Sequence, residues 1–327
     1  MQPLLSLVAA LAPALQSETV TLTPRLDAGA TLTRTVTQTA AFTGGSLTVE
    51  MDGRPVPAEF LPDLSIESTE RRAVTLADRH TARGVIRSFE ALEATASVAV
   101  DMGGYMGQGE TAFDATADSP LEARRVRFGA EGAAFVDEDG GALDATASDK
   151  ALLQGLAPGA DLAAWWPGRA VAVGEAWQGP ADALLELSAP SGDLGWRWTS
   201  AEVERRTDRR SLAGEVTLTL RALREVDGRP VAEVDVAGRL ERTESAATDL
   251  RDVPVADGTA TETRTATLAL RGTLTLDVRG GHLTTAELSA EVEEVVATVK
   301  DPGQPGPEYR STLTFRGTEA YTVTVAR

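Results

Sequence analysis

The chain contains no cysteine. That one absence removes disulfides, thiol nucleophiles and thiolate metal sites together. It also removes the cysteine through which a bacterial lipoprotein is anchored. Histidine is nearly missing, with His80 and His282 the only two, and lysine is confined to Lys150 and Lys300. Aromatic residues make up 5 % of the chain, which weighs against a sugar-processing enzyme. No Gly-x-Ser-x-Gly elbow occurs, so a serine hydrolase of that type is not indicated. No apolar run reaches the length of about eighteen residues that a membrane-spanning helix needs.

What is present is acidic. The 327 residues hold 49 acidic and 31 basic side chains, for a formal net charge of -18. Such a surface repels phosphate, which argues against nucleic acid and anionic membrane as partners. A hydrophobic content of 42 % is that of a folded globular chain. The apolar run from Leu4 to Leu15, followed by small residues, reads as a secretory signal peptide over 1–16, although its first residues lack a Lys or Arg. The expected mature protein is exported, periplasmic or extracellular, and not membrane-spanning.

From residue 18 onward the pattern is that of strands. Val216, Leu218 and Leu220 alternate with Thr217, Thr219 and Arg221. Leu274, Leu276 and Val278 follow the same rule, as do Leu288, Ala290 and Val292, and then Tyr321, Val323 and Val325. Alternation with a period of two marks half-buried antiparallel strands. Asp227-Gly228 and Gly280-Gly281 are hairpin turns, because glycine accepts the backbone these turns need. The N-terminal half is noisier. Strands are expected there at 19–22, 31–37, 47–51, 73–76, 85–92 and 98–100. Two short helices are expected in the middle, one capped by Asp149 and stopped by Pro158, the other entered at Pro180. The fold expected is mainly β: antiparallel meanders forming a curved sheet, half-barrel or sandwich. An N-terminal half (17–164) and a C-terminal half (165–327) would pack as one unit.

Few constellations carry chemistry. Asp78 and His80 share a strand face but lack a nucleophile, and both histidines read as exposed structural residues. "MGGYMGQG", residues 102–109, is rich in glycine but is not followed by the helix a phosphate loop requires. Asp137, Asp139 and Asp144 are weak calcium candidates in a Gly-containing turn without the order of an EF-hand. No cofactor is implied.

The densest feature is "WWPGRAVAVGEAWQGP", residues 165–180. Trp165, Trp166, Pro167, Val171, Val173, Gly174, Glu175 and Trp177 read as a rigid junction between two sets of strands. A ligand belt would explain the tryptophans but not the proline and glycine. The run Pro167…Val171-Ala172-Val173-Gly174-Glu175-x-Trp177 resembles the Pro-x(3)-Val-x-Val-Gly-(Asp/Glu)-x-Trp signature of an uncharacterised family of exported, β-rich bacterial proteins. The later "GTLTLDVRGGHLTTAELSAEVE" is similar to that family's strand, turn and strand. The resemblance implies export and an antiparallel fold, and it transfers no catalytic residue. A fainter likeness is to lipoprotein-carrier half-barrels, at the level of fold alone.

Three functions follow in order of expectation. The first is a non-enzymatic exported cell-envelope protein, a scaffold or interaction module for an envelope partner. The second is a carrier holding a lipid or other apolar ligand inside a curved sheet. The third, well behind, is a hydrolase dependent on carboxylates or calcium.

Overall fold

The structure is a computed structural model, and it describes residues 18–25, 29–103, 110–159, 162–200, 209–249, 258–303 and 306–327. The signal peptide expected over 1–16 lies outside them, as does most of the glycine-rich stretch at 102–109. The N-terminal part supplies β1 (Thr19–Thr21), β2 (Thr31–Met51), β3 (Arg54–Pro55), β4 (Ser65–Thr81), β5 (Gly84–Asp101) and β6 (Thr111–Asp118). The middle carries β7 (Arg125–Gly129), β8 (Gly132–Phe135), α1 (Ala147–Gln154), β9 (Ala170–Ala172), β10 (Ala176–Pro180), α2 (Leu185–Ser188) and β11 (Arg197–Trp198). The C-terminal part is β12 (Arg209–Val226), β13 (Arg229–Asp249), β14 (Thr259–Asp277), β15 (His282–Lys300) and β16 (Tyr309–Ala326).

These elements build one large antiparallel sheet in the order β10-β12-β13-β14-β15-β16-β2-β4-β5-β6-β11. It is open rather than closed into a barrel, and β1 and β9 form a separate pair. The C-terminal meander β12 to β16 joins the N-terminal one where β16 pairs with β2, with Val323 opposite Val36. The two runs of strands therefore share a single sheet. Its main strands are 17 to 21 residues long, roughly 60 Å at about 3.3 Å per residue.

The register explains the core. Leu220, Val234, Leu274, Ala286, Val323, Val36, Val74 and Leu92 lie opposite one another, strand after strand, across eight strands. Every one of them is buried. Threonine occupies the intervening positions on the other face, as at Thr35, Thr75 and Thr324. β-branched side chains suit both faces because they pack on a pleated surface.

Several expectations are corrected by this architecture. The strands expected at 31–37 and 47–51 are one continuous β2. Its Gly44-Gly45 pair is a bulge, at which Phe315 pairs with Gly44 while Thr314 already pairs with Ser46. A Cβ on Gly44 would collide with the Phe315 ring, so the glycine admits that ring rather than ending the strand. Asp149 is not the N-cap of α1. Thr146 is, and Asp149 is the third residue of a reciprocal capping box. The helix stops at Gly155, before Pro158. His282, expected to be exposed, is 4 % exposed. The segment after β1 crosses the hairpin, with Arg25 N–H donating to the Gly281 carbonyl at 2.9 Å, and so covers the turn that precedes this histidine.

Candidate functional site

The segment between β6 and β12 runs from one edge of the sheet to the other, because β10 pairs with β12 and β11 pairs with β6. On the way it covers part of the sheet's inner face. Trp165 is 2 % exposed, and its indole N–H donates to the Pro180 carbonyl at 2.8 Å. The Trp177 indole in turn donates to the Trp165 carbonyl at 2.8 Å. Both rings join Leu184, Leu187 and the strand residues Leu218 and Leu220 in one apolar cluster. Trp166 is also buried, and Pro167 follows it into the loop leading to β9. Val171 is buried whereas Val173 is exposed. Gly174 takes a left-handed φ of 86°, where a side chain would be strained. Glu175 ties the turn together by accepting from the Ala172 N–H at 2.9 Å and from Arg169 at 2.5 Å. These bonds hold its carboxyl below the ordinary value, the backbone bond first and Arg169 second.

A buried ion cluster pins the same segment to the sheet. Arg87 is 1 % exposed and grips Asp78 through Nε and Nη2, both at 2.6 Å, while its Nη1 donates to Ser191 Oγ at 2.8 Å. Arg34 approaches Asp78 at 3.4 Å from the neighbouring strand. Burial holds the Arg34 guanidinium below its usual range, and Asp78 opposes that shift. His80, two residues along β4, borders a small cavity of about 210 Å³ beside Asp78 and Trp166. Its pKa is lowered, by burial first and by Arg34 and Arg87, with Asp78 acting in the other direction. Two guanidiniums around one carboxylate make this a structural clamp, with no nucleophile placed against the imidazole among the described residues.

Beyond the clamp the inner face changes character and is left open. A cleft of about 590 Å³ lies between β2, β4 and β12 on one side and the stretch from α2 to β11 on the other. Gln38, Arg72 and Arg210 rise from the sheet, and Asp193, Trp196 and Trp198 face them. Arg72 is held through Nε by Glu70 on its own strand, and Arg210 through Nε by Glu244 across the strand pair at 2.7 Å. Neither guanidinium has a partner for its terminal amino groups among the described residues. Gln38 Oε1 is buried and has no hydrogen-bond partner among the described residues, which is a costly state for an acceptor unless something else supplies the donor. A second groove, of about 680 Å³, lies mainly on the opposite threonine-rich face beside Thr39, Arg71, Thr95 and Thr116.

The sheet below the cleft is a closed ionic network. Arg242 binds Glu319 at 2.7 Å and Glu294 at 3.5 Å, and Arg264 binds Glu294 at 3.3 Å. Tyr321 donates to the other oxygen of Glu319 at 2.6 Å. Burial alone would lower Arg242, but Glu319, Glu244 and Tyr321 outweigh it and raise the guanidinium above its ordinary value. Tyr321 is pushed well above a normal phenol by burial and by the adjacent Glu319.

Other sequence candidates sit elsewhere. Asp137 accepts from the Gly141 N–H at 2.7 Å within its turn, and Asp139 and Asp144 are exposed. The described residues contain no cluster of three or more metal-ligating side chains. None of their helices is long and apolar enough to cross a membrane. The cleft residues Gln38, Arg72, Arg210 and Asp193 were not singled out by the sequence. The available signal was polar residues at inner-face positions of a period-two pattern.

No family model and no curated protein matches the chain. Among solved structures, OccK7 (OpdD) of Pseudomonas aeruginosa is similar at 8 % identity and a TM-score of 0.20, over 90 % of this chain and 98 % of that one. A P. aeruginosa FadL homologue gives 11 % and 0.19 over 90 % and 89 %. The P. putida toluene transporter TodX gives 8 % and 0.12 over 91 % and 90 %. Likeness at this level carries no argument about the present chain.

Proposed function

We propose that the chain is a non-enzymatic, exported cell-envelope protein that works as an interaction module, and that the cleft is its contact site. The observation that carries this reading is the half-covered inner face. One part of it is sealed by Trp165, Trp177 and Leu184, and the other is left as a cleft whose wall holds a buried acceptor, Gln38 Oε1, without a partner among the described residues. Glu70 and Glu244, beside the cleft, are each tied to an arginine, and Asp193 is the one carboxylate among the described residues of its lining, with no second acid paired to it there as a hydrolase would need. Export is supported by the apolar run at residues 4–15.

A carrier for an apolar ligand ranks second. The aliphatic rows that would hold an acyl chain are largely covered by the tryptophan-rich segment, and the space left open mixes apolar residues such as Val36, Val74 and Leu187 with Gln38, Arg72, Asp193 and Arg210. Mass spectrometry of protein purified from its native host, under native and then denaturing conditions, tests both readings. The expected result is a mature N-terminus near residue 17 with no lipid bound. A stoichiometric mass that is lost on denaturation and extracts into organic solvent would replace the module with the carrier. An unprocessed N-terminus would remove the export.

A further inference from the structure

We propose that the cleft takes a neutral oligosaccharide, with Trp196 and Trp198 as the surfaces on which its rings stack. This rests on the cleft being the contact site and goes further by naming the ligand chemistry.

Charge excludes one class of ligand. The two arginines of the wall are already balanced by Glu70 and Glu244, and Asp193 adds a further negative charge. A carboxylate or phosphate would therefore meet no net positive field locally, and a chain carrying a net charge of -18 repels it from a distance. Desolvation disfavours a second class. An acyl chain could pack on Val36, Val74 and Leu187, but it would also strip water from Gln38, Arg72 and Arg210 without bonding them.

What remains is a neutral ligand with donors, acceptors and an apolar face. Gln38 Oε1 requires a donor. The terminal amino groups of Arg72 and Arg210 and the indole N–H groups of Trp196 and Trp198 are partly exposed donors open to a ligand's acceptors. Asp193 Oδ1 accepts from the Gly195 N–H at 2.8 Å, which leaves its second oxygen for another donor. Sugar hydroxyls donate and accept at one atom, and the C–H face of a pyranose ring is apolar enough to pack on an indole. The low aromatic content is no obstacle to binding, since two of the five tryptophans stand at this one cleft. Each is half-buried, so each keeps a surface for a ligand. Their mounting is firm: Trp198 lies opposite Ala117 at the sheet edge, and Trp196 follows Gly195, which turns the chain at a φ of 62°. A volume of about 590 Å³ falls within the range of roughly 300–1,000 Å³ typical of small-ligand sites.

The test is calorimetry and tryptophan fluorescence on the purified protein, titrated with cellotriose, chitotriose and maltotriose, and in parallel with trigalacturonate and palmitate. At least one neutral trisaccharide should bind saturably and shift the tryptophan emission. Gln38→Leu and Trp198→Ala should each weaken it at least about tenfold, the equivalent of one lost hydrogen bond or stacking contact. Glu293→Ala, on the opposite face, should leave affinity unchanged. If Trp198→Ala disturbs the sheet edge, Gln38→Leu alone decides. No neutral sugar bound up to roughly 10 mM, a preference for trigalacturonate or palmitate, or affinity indifferent to both cleft variants would overturn the proposal. The reading beneath it fails separately: a partner recovered from the native host that Gln38→Leu retains unchanged would show that the cleft is not the contact site.

Discussion

Replacing Trp165 by alanine asks whether the tryptophan-rich stretch is a structural seal or a ligand belt. The ring is 2 % exposed and lies directly over Gly179 and Leu218, so close that a Cβ on Gly179 would stand 2.6 Å from its Cδ1. Neighbours packed this tightly relax little, and removing a buried tryptophan costs about 3–5 kcal/mol. The Pro180 carbonyl also loses its 2.8 Å donor, adding about 1 kcal/mol. The total is about 4–6 kcal/mol, a large share of the 5–15 kcal/mol by which domains are typically stable. At about 2–4 °C per kcal/mol, the melting temperature should fall on the order of 10–20 °C. Urea titration followed by circular dichroism reads the free energy, and a scan of the same sample reads the midpoint. Trp198→Ala, at the cleft, should cost much less, because that ring is only half-buried. A Trp165→Ala variant destabilised by less than about 2 kcal/mol would refute the seal and return the tryptophans to a ligand belt.

Three further outcomes follow from the same contacts. Asp78→Ala should cost about 3–5 kcal/mol by denaturant titration, because it removes the carboxylate that the buried Arg87 guanidinium grips with two hydrogen bonds; adding Arg87→Met should recover part of that loss, since the uncompensated charge is the main penalty. Asp149 is depressed to about 2 by the hydrogen bond from Arg124 and then by Thr146. A depressed carboxyl stabilises the fold above its ordinary value near 3.8 and loses that contribution as pH falls toward 2, so α1 should loosen in that window, as read by the pH dependence of its backbone amide NMR signals, and Asp149→Asn should remove that local transition. Gly272→Ala should destabilise by about 1–3 kcal/mol in a thermal scan, because its φ is +156° and a Cβ there would lie 2.7 Å from the Leu288 Cα.

The C-terminal strands were legible because each carries an unbroken run of apolar inner positions, Val216, Leu218 and Leu220 in β12, or Leu288, Ala290 and Val292 in β15, clear of its charged inner residues. The N-terminal strands were blurred for a physical reason. The inner positions of β2 read Leu32, Arg34, Val36, Gln38, Ala40 and Phe42, and those of β4 read Glu70, Arg72, Val74, Leu76 and Asp78. Charged and amide groups at every second or third inner position erase the period-two signal. Those same residues form the clamp and the cleft wall, so the noise marked the site. Strand order was beyond reach for a different reason. Nothing local tells that β10 and β11, separated by sixteen residues, belong to opposite edges of one sheet.

That crossing accounts for both halves of the inner face. The chain between β6 and β12 crosses the inner face from the β6 edge to the β10 edge and back to β11, and where it passes it can bury only what its own side chains match. Trp165, Trp177, Leu184 and Leu187 match the aliphatic rows and exclude water from them. The Arg87–Asp78–Ser191 clamp then fixes the far end of the crossing to β4 and β5. Past the clamp the segment carries Asp193, Trp196 and Trp198 over a wall of Gln38, Arg72 and Arg210, and there the pairing is incomplete. A segment selected only to close the sheet would place apolar residues above an apolar wall along its whole length. Here Gln38, Arg72 and Arg210 join Val36 and Val74 in the wall where the cover lifts, and the cover presents flat aromatic surfaces to it. The seal and the cleft are thus one construction, in which the rigidity of the first fixes the geometry of the second.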